Sequence, residues 1–402
     1  MLRDKTILYI FVIAFCSGTG IAVIFAAIFL SIQITYEQSK LVALCAIIGQ
    51  ILSVVFSAKL GEIADSNHKE RNLRLAYLTG IIFAVLSAYL SYINTQGVFY
   101  YISLLVTSSI LTLVRMLDQV TRTSILHLSL SKDKYLEASK YLEIVRQGIT
   151  FCSGGLAILL INRDNIYAAS LFCALCLAVS YFLSHQFNTQ LSTKEEVSQR
   201  STIARFLEHF SSSQSFLLMI ITLIPYSMVL TLNAVYPKTF IDITDNPQYY
   251  SALVIPYGIG AIIGGMFASR VAHVSLIRVS MLFMMLFSIA LLGFSFVNNV
   301  TNAYILIFTF ALCHSLIRVK RSHYLMLEVE KGMIGVVSGY YEMIALIFSI
   351  LLSLASTAMV DAYGLASGVI GLTIVMLSGP VLIMFRYRGR SGIKSTTHKQ
   401  TD

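Results

Sequence analysis

The chain has 402 residues, of which 56% are hydrophobic and only 12% are charged. Soluble domains carry about 25% charged residues, so the composition excludes an ordinary soluble enzyme or binding module and indicates a polytopic membrane protein. The net charge of +9 does not indicate a nucleic-acid partner, because the lysines and arginines cluster in alternate connections between apolar runs.

Twelve apolar runs follow one another along the chain, and each is near the ~20 residues that a helix needs to span a bilayer. They lie at 7–31, 39–60, 75–94, 98–120, 137–161, 166–185, 214–240, 250–272, 276–296, 301–320, 334–360 and 364–386. We therefore predict an all-α polytopic membrane protein with twelve transmembrane helices in two six-helix bundles. The predicted parts are an N-terminal bundle at 1–185, a cytoplasmic linker at 186–213, a C-terminal bundle at 214–386 and a cytoplasmic tail at 387–402.

The distribution of basic residues predicts the orientation of these helices. On the side of the two termini there are 25 lysines and arginines, whereas the other side has only Lys40, Arg163 and Lys238. Because basic loops stay in the cytoplasm, both termini are expected to be cytoplasmic, in a protein of the inner membrane.

An internal repeat divides the chain into two copies. Ser139, Tyr141 and Glu143 recur 199 positions later as the set Ser338, Tyr340 and Glu342, and the same offset relates Arg122 to Arg321. The offset is close to half the chain, so a six-helix unit duplicated in parallel orientation is predicted, with pseudo-twofold symmetry.

Two segments resemble known transporters. The loop GEIADSNHKERNLR (61–74) resembles the signature loop of the major facilitator superfamily, with Gly61 and Asp65 in its core and Arg71 and Arg74 in its basic part. The family's second glycine and adjacent arginines have no counterpart at 66–68. The segment 115–148 is similar to the fourth-to-fifth helix region of the macrolide and enterobactin exporter branch, although the Gly-Pro pair of the antiporter signature is absent from QGITFCSGG (147–155).

This resemblance implies a secondary active transporter that works by alternating access. The expected activity is proton-coupled export of a small organic molecule, anionic and siderophore-like. The alternatives are an importer of a siderophore or related metabolite and, in another class, a non-transporting membrane sensor or assembly partner. No nucleotide-binding loop and no His/Cys cluster occurs in the sequence, so neither an enzyme nor a cofactor or metal site is expected. The expected partners are the substrate, protons and the lipid bilayer, with the protein a monomer.

Charged residues inside membrane helices are costly and are therefore candidate functional residues. Arg115 and Arg146 are predicted on neighbouring helices at similar depth, where two guanidinium groups can hold a carboxylate or phosphate. Alternatively each pairs only with an acid three residues away, Asp118 or Glu143. Asp118 is the candidate for proton coupling. A transporter of this kind is expected to have a central substrate cavity, and further candidates for lining it are Gln50, Asn233, Tyr236 and Tyr257. A broken outer segment is predicted in the seventh span near Pro237.

The repeated acids Glu143 and Glu342 are predicted in the inner third of a ~30 Å hydrocarbon core, below a midplane substrate site. A cytoplasmic gate formed by salt bridges is therefore expected there. The resemblance implies that Glu342 meets the basic loop after Asp65 and that Glu143 meets Arg270. Direct binding of protons or substrate by the two acids, and simple capping of a helix N-terminus, are the alternatives. The predicted gate set is Gly61, Asp65, Arg71, Arg74, Glu143, Arg270 and Glu342.

Overall fold

The structure is a computed structural model that describes residues 5–36, 39–66, 68–93, 97–160, 166–186, 214–244, 249, 252–330 and 332–387. The described residues form thirteen α-helices. In chain order they are α1 (Lys5–Tyr36), α2 (Ser39–Asp65), α3 (Lys69–Tyr92), α4 (Val98–Ser129), α5 (Tyr135–Leu160), α6 (Tyr167–Leu183), α7 (Gln214–Ile221), α8 (Ile224–Ile243), α9 (Val254–Phe267), α10 (Leu276–Phe294), α11 (Val300–Glu328), α12 (Ile334–Tyr363) and α13 (Leu365–Tyr387).

Each of the twelve predicted spans coincides with a helix, with α7 and α8 together forming the seventh. Ten described segments are long and apolar enough to cross a membrane, and α9 is a shorter apolar helix. Large apolar side chains on the outer surface are widely exposed, among them Phe182, Ile289 and Phe385 at 70%, 66% and 76%. Such a surface is typical of contact with lipid, so the chain is an integral membrane protein with the predicted all-α fold.

The seventh span is interrupted at Thr222 and Leu223, between α7 and α8. Pro225 lies in the first turn of α8, where it has no N–H to continue the hydrogen-bond ladder of α7. The prediction of a break near Pro237 is wrong, because α8 continues through that position. The break at Thr222 leaves a backbone carbonyl group available to a side chain. The carbonyl of Thr222 accepts a hydrogen bond from Arg321 Nη1 at 2.9 Å.

The first six helices pack on one another, as do α7 to α13, and the two halves meet mainly through α2 against α12 and α5 against α9, with further contacts of α5 with α11 and of α4 with α12. The two main contacts exchange under the predicted symmetry, because α2 corresponds to α9 and α5 to α12. Most of the predicted linker, 187–213, and the tail from 388 lie outside the described residues. We call the end where α2 meets α3 and α11 meets α12 the basic face, and the other end the opposite face.

Candidate functional site

A cavity of about 670 Å³ lies between the two halves, lined by side chains from both. Near the opposite face its walls include Phe29, Cys45 and Leu253, and towards the basic face it ends at Ser139 and Leu325. A volume of this size is in the range of small-molecule sites, and its position between the repeats is the one expected for the substrate site of a transporter.

Among the described residues, four arginines and two glutamates line this cavity: Arg115, Arg146, Arg318, Arg321, Glu143 and Glu342. The positive charges therefore exceed the negative ones by two. Arg115 and Arg146, predicted from the sequence, come from α4 and α5 of the N-terminal half. Arg318 and Arg321 come from α11 of the other half. They are three residues apart, so they lie on one face of that helix.

Glu143 is the centre of the charge network. It is 2% exposed and accepts hydrogen bonds from Arg146 Nη1 at 2.9 Å and from Gln147 Nε2 at 2.8 Å. The Nε atom of Arg318, from the opposite half, lies 3.7 Å from the same carboxylate oxygen that Arg146 contacts. One buried carboxylate thus engages an arginine from each half of the molecule.

Aromatic side chains hold Arg318 and the neighbouring His314 in place. The guanidinium of Arg318 lies 4.9 Å from the ring centroid of Tyr226, in the geometry of a cation–π contact. The same ring stacks on His314 with an interplanar angle of 10°. Tyr226 also donates its hydroxyl hydrogen to Glu342 at 2.6 Å, and the hydroxyl of Tyr257 lies 3.3 Å from His314 Nδ1. The network therefore continues from α11 to α8, α9 and α12.

Asp118 lies beside a second, smaller cavity of about 220 Å³ within the N-terminal half. Its carboxylate accepts hydrogen bonds from Ser17 at 2.7 Å and Tyr77 at 2.5 Å, and it pairs with Arg122 Nε at 3.0 Å. The alternative in which Asp118 pairs with Arg115 is wrong, because Asp118 makes its ion pair with Arg122, four residues later in α4, and not with Arg115, three residues earlier. Arg115 lines both cavities.

The halves are in close contact at the basic face. A Cβ atom placed on Gly61 of α2 would lie 2.6 Å from the carbonyl oxygen of Gly335 on α12, so only glycine permits this approach. The carboxylate of Asp65 accepts the backbone N–H of Val336 at 2.9 Å and the hydroxyl of Ser124 at 2.7 Å. Asp65 thereby caps the N-terminus of α12 across the two halves, where a negative charge is favoured.

Two further contacts join α11 to the N-terminal half at this face. His127 Nε2 lies 2.9 Å from the carbonyl oxygen of Met326, and Ser139 Oγ lies 3.2 Å from Ser322 Oγ. Together with the glycine contact and the cap from Asp65, they close the cavity at the basic face.

The acids and bases predicted for the gate are paired differently from the expectation. Glu143 pairs with Arg146 and Arg318 instead of Arg270, which is exposed and stacks on Phe267. Glu342 accepts from Tyr226 rather than from the basic loop after Asp65. The physical reason is depth: both acids line the cavity itself, above the loop.

The remaining basic residues of the predicted gate lie at the surface of α3. Arg71 is exposed, and Arg74 lies 3.8 Å from Glu70 on the same helix.

Of the four further residues predicted to line the cavity, three do so and one does not. Gln50, Asn233 and Tyr257 line the large cavity. Tyr236 does not, because it is 1% exposed in the core of the C-terminal half and packs edge-on against Phe294. Sequence reasoning missed Arg321 as a cavity residue, since it fell in a connection expected between spans ten and eleven. Its repeat relation to Arg122 gave no signal either, because Arg122 was also predicted outside the membrane, after the span at 98–120.

No protein-family model matches the sequence, and no curated protein matches it significantly. Solved transporter structures do share its fold. A bacterial homologue of the iron transporter ferroportin, in an outward-facing state, superposes with a TM-score of 0.76 at 13% identity, covering 96% of this chain and 100% of that one. The human organic anion transporter MFSD10 gives 0.75 at 11% identity, with 94% and 98% covered. The transporter FucP, in an outward conformation, gives 0.74 at 8% identity, with 96% and 99% covered.

At these identities the likeness shows the fold alone, and that fold is the one of the major facilitator superfamily. The predicted fold is thus confirmed, whereas the macrolide and enterobactin exporter branch stays a prediction. All three neighbours are membrane transporters rather than enzymes, as the sequence predicts for this chain.

Proposed function

We propose that this chain is a secondary active transporter that carries a small organic anion across the membrane by alternating access. The observation that carries the proposal is the set of four arginines on a cavity between the two halves. Charges are expensive inside a membrane, so a surplus of two positive charges on a cavity is best explained by an anion that binds there.

The chemistry of the arginines favours a carboxylate or phosphate group on the substrate. A guanidinium group presents parallel N–H donors that match such a group, and it remains charged when buried. Arg146 and Arg318 come from different halves and already converge on one carboxylate, that of Glu143. A substrate anion held by both would contact both halves at once, as rocking of the halves around a central site requires.

The contacts at the basic face serve as the gate in this proposal. Basic loops favour the cytoplasm, so we propose that this face is cytoplasmic, that the membrane is the inner membrane and that both termini are cytoplasmic. The closed face would then be the inner one. Asp65, Gly61 and the contact of Ser139 with Ser322 would separate when the cavity opens to the cytoplasm.

A bare metal ion is a poor cargo for this cavity, although one structural neighbour is a homologue of an iron transporter. The described residues contain no group of three or more His, Cys, Asp or Glu side chains that could hold a metal ion. Four arginines would also repel a free cation. An organic anion, including an anionic siderophore or its fragment, is the class that the cavity fits. The substrate named for MFSD10 belongs to this general class, but the proposal rests on the arginines.

Proton coupling and direction are the finer part of the proposal. The resemblance to exporters favours proton-driven export, and import of a siderophore or related metabolite is the alternative. In proton-driven export the proton and the anion bind in turn and move in opposite directions. In proton-driven import they bind together and move in the same direction. A non-transporting sensor or assembly partner of the same fold would show no exchange at all.

Counterflow in proteoliposomes tests the proposal directly. Vesicles containing the purified monomer are preloaded with unlabelled citrate or 2,3-dihydroxybenzoate, and entry of the labelled compound is followed without any ion gradient. We expect transient accumulation of at least one anion and none of 2,3-dihydroxybenzamide, the neutral relative of the second probe. Equal entry of the amide, or no exchange of either anion, would contradict the proposal and favour the sensor.

A further inference from the structure

The carboxylate of Glu143 occupies an anion site that the protein has already built. It is buried, it accepts hydrogen bonds from Arg146 and Gln147 at 2.9 and 2.8 Å, and Arg318 is 3.7 Å away. The two arginines best placed for a substrate anion therefore already share one carboxylate of the protein itself. A substrate that binds them must compete with Glu143 or share them with it.

Among the described residues, the groups that face Glu143 include two arginines and no third arginine or lysine. The charged and titratable groups that face it are Arg146 on its own helix, Arg318 and His314 on α11, and Tyr257 on α9. Its aliphatic part packs towards Gly265 of α9, where a Cβ would lie 3.6 Å from its Cγ. Tyr226 and Glu342 also interact electrostatically with the two arginines.

Competition for the same donors links the binding of the anion to a proton on Glu143. When a substrate carboxylate takes the N–H donors of Arg146 and Arg318, Glu143 loses its ion pairs while it stays buried, next to a second negative group. A neighbouring like charge disfavours the ionised form of a carboxylic acid, so Glu143 takes up a proton. The protonated acid leaves both guanidinium groups to the substrate.

We propose that Glu143 is the proton-coupling residue, and that the proton and the substrate anion bind together and travel in the same direction. This inference rests on the proposed transport of an anion. No covalent bond of the substrate changes: a proton binds to a carboxylate oxygen of Glu143 on one side of the membrane and leaves on the other. The protein is then a proton–anion symporter.

Asp118 and Glu342 are less suitable for this role. Asp118 forms its ion pair with Arg122 and its hydrogen bonds with Ser17 and Tyr77, all within the N-terminal half. A substrate bound between the halves would therefore not remove the partners of its carboxylate. Glu342 accepts from the neutral hydroxyl of Tyr226. Of these three acids, Glu143 is the one whose ion pairs join the two halves.

The ion pair between Glu143 and Arg318 also indicates the direction of transport and what triggers opening of the gate. A proton on Glu143 removes its attraction to Arg318, one of the links between α5 and α11 above the closed basic face. Binding of the anion brings this proton with it and thereby loosens the link that opposes opening of the gate. In a cell whose proton gradient is directed inward, symport drives uptake, so the inference favours import over the export that the resemblance suggests.

The experiment uses the full chain in proteoliposomes, with whichever of citrate and 2,3-dihydroxybenzoate exchanges in counterflow. Uptake of that anion is measured with an acidic exterior, with an acidic interior and without a gradient, after subtraction of protein-free vesicles. We expect the acidic exterior to raise uptake by the wild type at least about 10-fold over the acidic interior. A Glu143→Gln variant is expected to lose this difference between the two gradients, because glutamine resembles the protonated acid and cannot release a proton.

The matched control is Glu137→Gln, which changes an exposed acid in the first turn of the same helix and should respond as the wild type does. Stimulation of the wild type by an acidic interior overturns the inference without any variant, since that is the signature of antiport. A full gradient response in Glu143→Gln overturns it as well. Counterflow in either case leaves the proposed transport intact, whereas a wild type without counterflow of either anion refutes both.

Discussion

His127 and Met326 stand 199 positions apart, the offset of the internal repeat, and they touch: His127 Nε2 lies 2.9 Å from the carbonyl oxygen of Met326. Residues at equivalent positions of two copies meet only where the symmetry axis passes between the copies. The pseudo-twofold axis therefore runs through the contact between α4 and α11 at the basic face. Tyr135 supports it by donating its hydroxyl hydrogen to the carbonyl of His127 at 3.0 Å. The contacts at the basic face are therefore built around the axis about which the halves are related.

Arg318 is expected to hold the substrate anion from the C-terminal half. Arg318→Ala should weaken binding of the transported anion by about 10- to 150-fold, because a hydrogen bond to a charged group contributes ~1.5–3 kcal/mol. Arg318→Lys should recover part of this loss, since it keeps the charge but loses the planar fork and the stacking on Tyr226. The measurement is the concentration dependence of counterflow. Arg278→Ala, at an exposed arginine of α10, is the control, and equal effects at Arg278 and Arg318 would remove Arg318 from the site.

Gly61 is expected to be necessary for closure of the basic face. In Gly61→Ala the new Cβ would meet the carbonyl oxygen of Gly335 at 2.6 Å, and a backbone atom cannot rotate away. The helices must separate, so the population should shift towards the conformation open at this face. In a cysteine-free background, Ser139→Cys should then react several-fold faster with a water-soluble thiol reagent. Gly155→Ala, whose Cβ would meet nothing within 4 Å, should leave the rate unchanged; equal rates in both variants would argue against the contact.

Asp65 is expected to stabilise the same closed state by capping α12. Asp65→Ala leaves the N–H of Val336 without its acceptor, and loss of a cap costs ~1 kcal/mol, or about five-fold in an equilibrium constant. The distance between spin labels on α2 and α12 at the basic face should show a correspondingly larger open fraction. Asp133→Ala, at an exposed acid of the connection between α4 and α5, serves as the control. An unchanged distance distribution in Asp65→Ala would mean that the cap does not hold the gate.

Asp118 is expected to contribute to folding rather than to coupling. In Asp118→Asn the buried guanidinium of Arg122 loses its carboxylate, and breaking a buried ion pair costs ~3–5 kcal/mol. The midpoint of thermal unfolding in detergent should fall by several degrees, while the transport that remains should still respond to a pH gradient. Normal thermal stability combined with loss of the gradient response would instead return the coupling role to Asp118.

Much of the fold was predictable because the bilayer restricts it so strongly. Apolar runs near 20 residues long must become helices in a membrane, and the predicted spans agree with the helices to within a few residues at most ends. The ends that differ are informative. The run predicted at 301–320 lies in a helix that continues to Glu328, because basic and polar residues there face the cavity or the core instead of a loop. Arg321 was placed in a connection for this reason.

The candidate site was predictable only in part. The cost of intramembrane charge identified Arg115, Arg146 and Glu143, all of which line the cavity. Sequence spacing also anticipated the pair of Arg146 with Glu143, because residues three apart share a helix face. The partner from the other half, Arg318, depends on how α5 and α11 are rotated against each other, and one sequence does not encode that rotation in any local pattern. The rotation of α8 is likewise not encoded locally. Tyr236 was therefore assigned to the cavity, whereas its side chain is buried in the core.

The central claim is that the basic face must open during transport, and a reversible cross-link tests it most directly. Ser139 Oγ and Ser322 Oγ are 3.2 Å apart on opposite halves, so cysteines at the two positions would be direct neighbours that an oxidant can cross-link. The six native cysteines, described as free thiols, are first replaced. The control pair is Ser87→Cys with Ser170→Cys, whose hydroxyls lie 3.4 Å apart within the N-terminal half. Oxidised Ser139→Cys/Ser322→Cys protein should lose counterflow and regain it on reduction, while the control pair keeps it. Undiminished counterflow by the fully cross-linked protein would contradict the account.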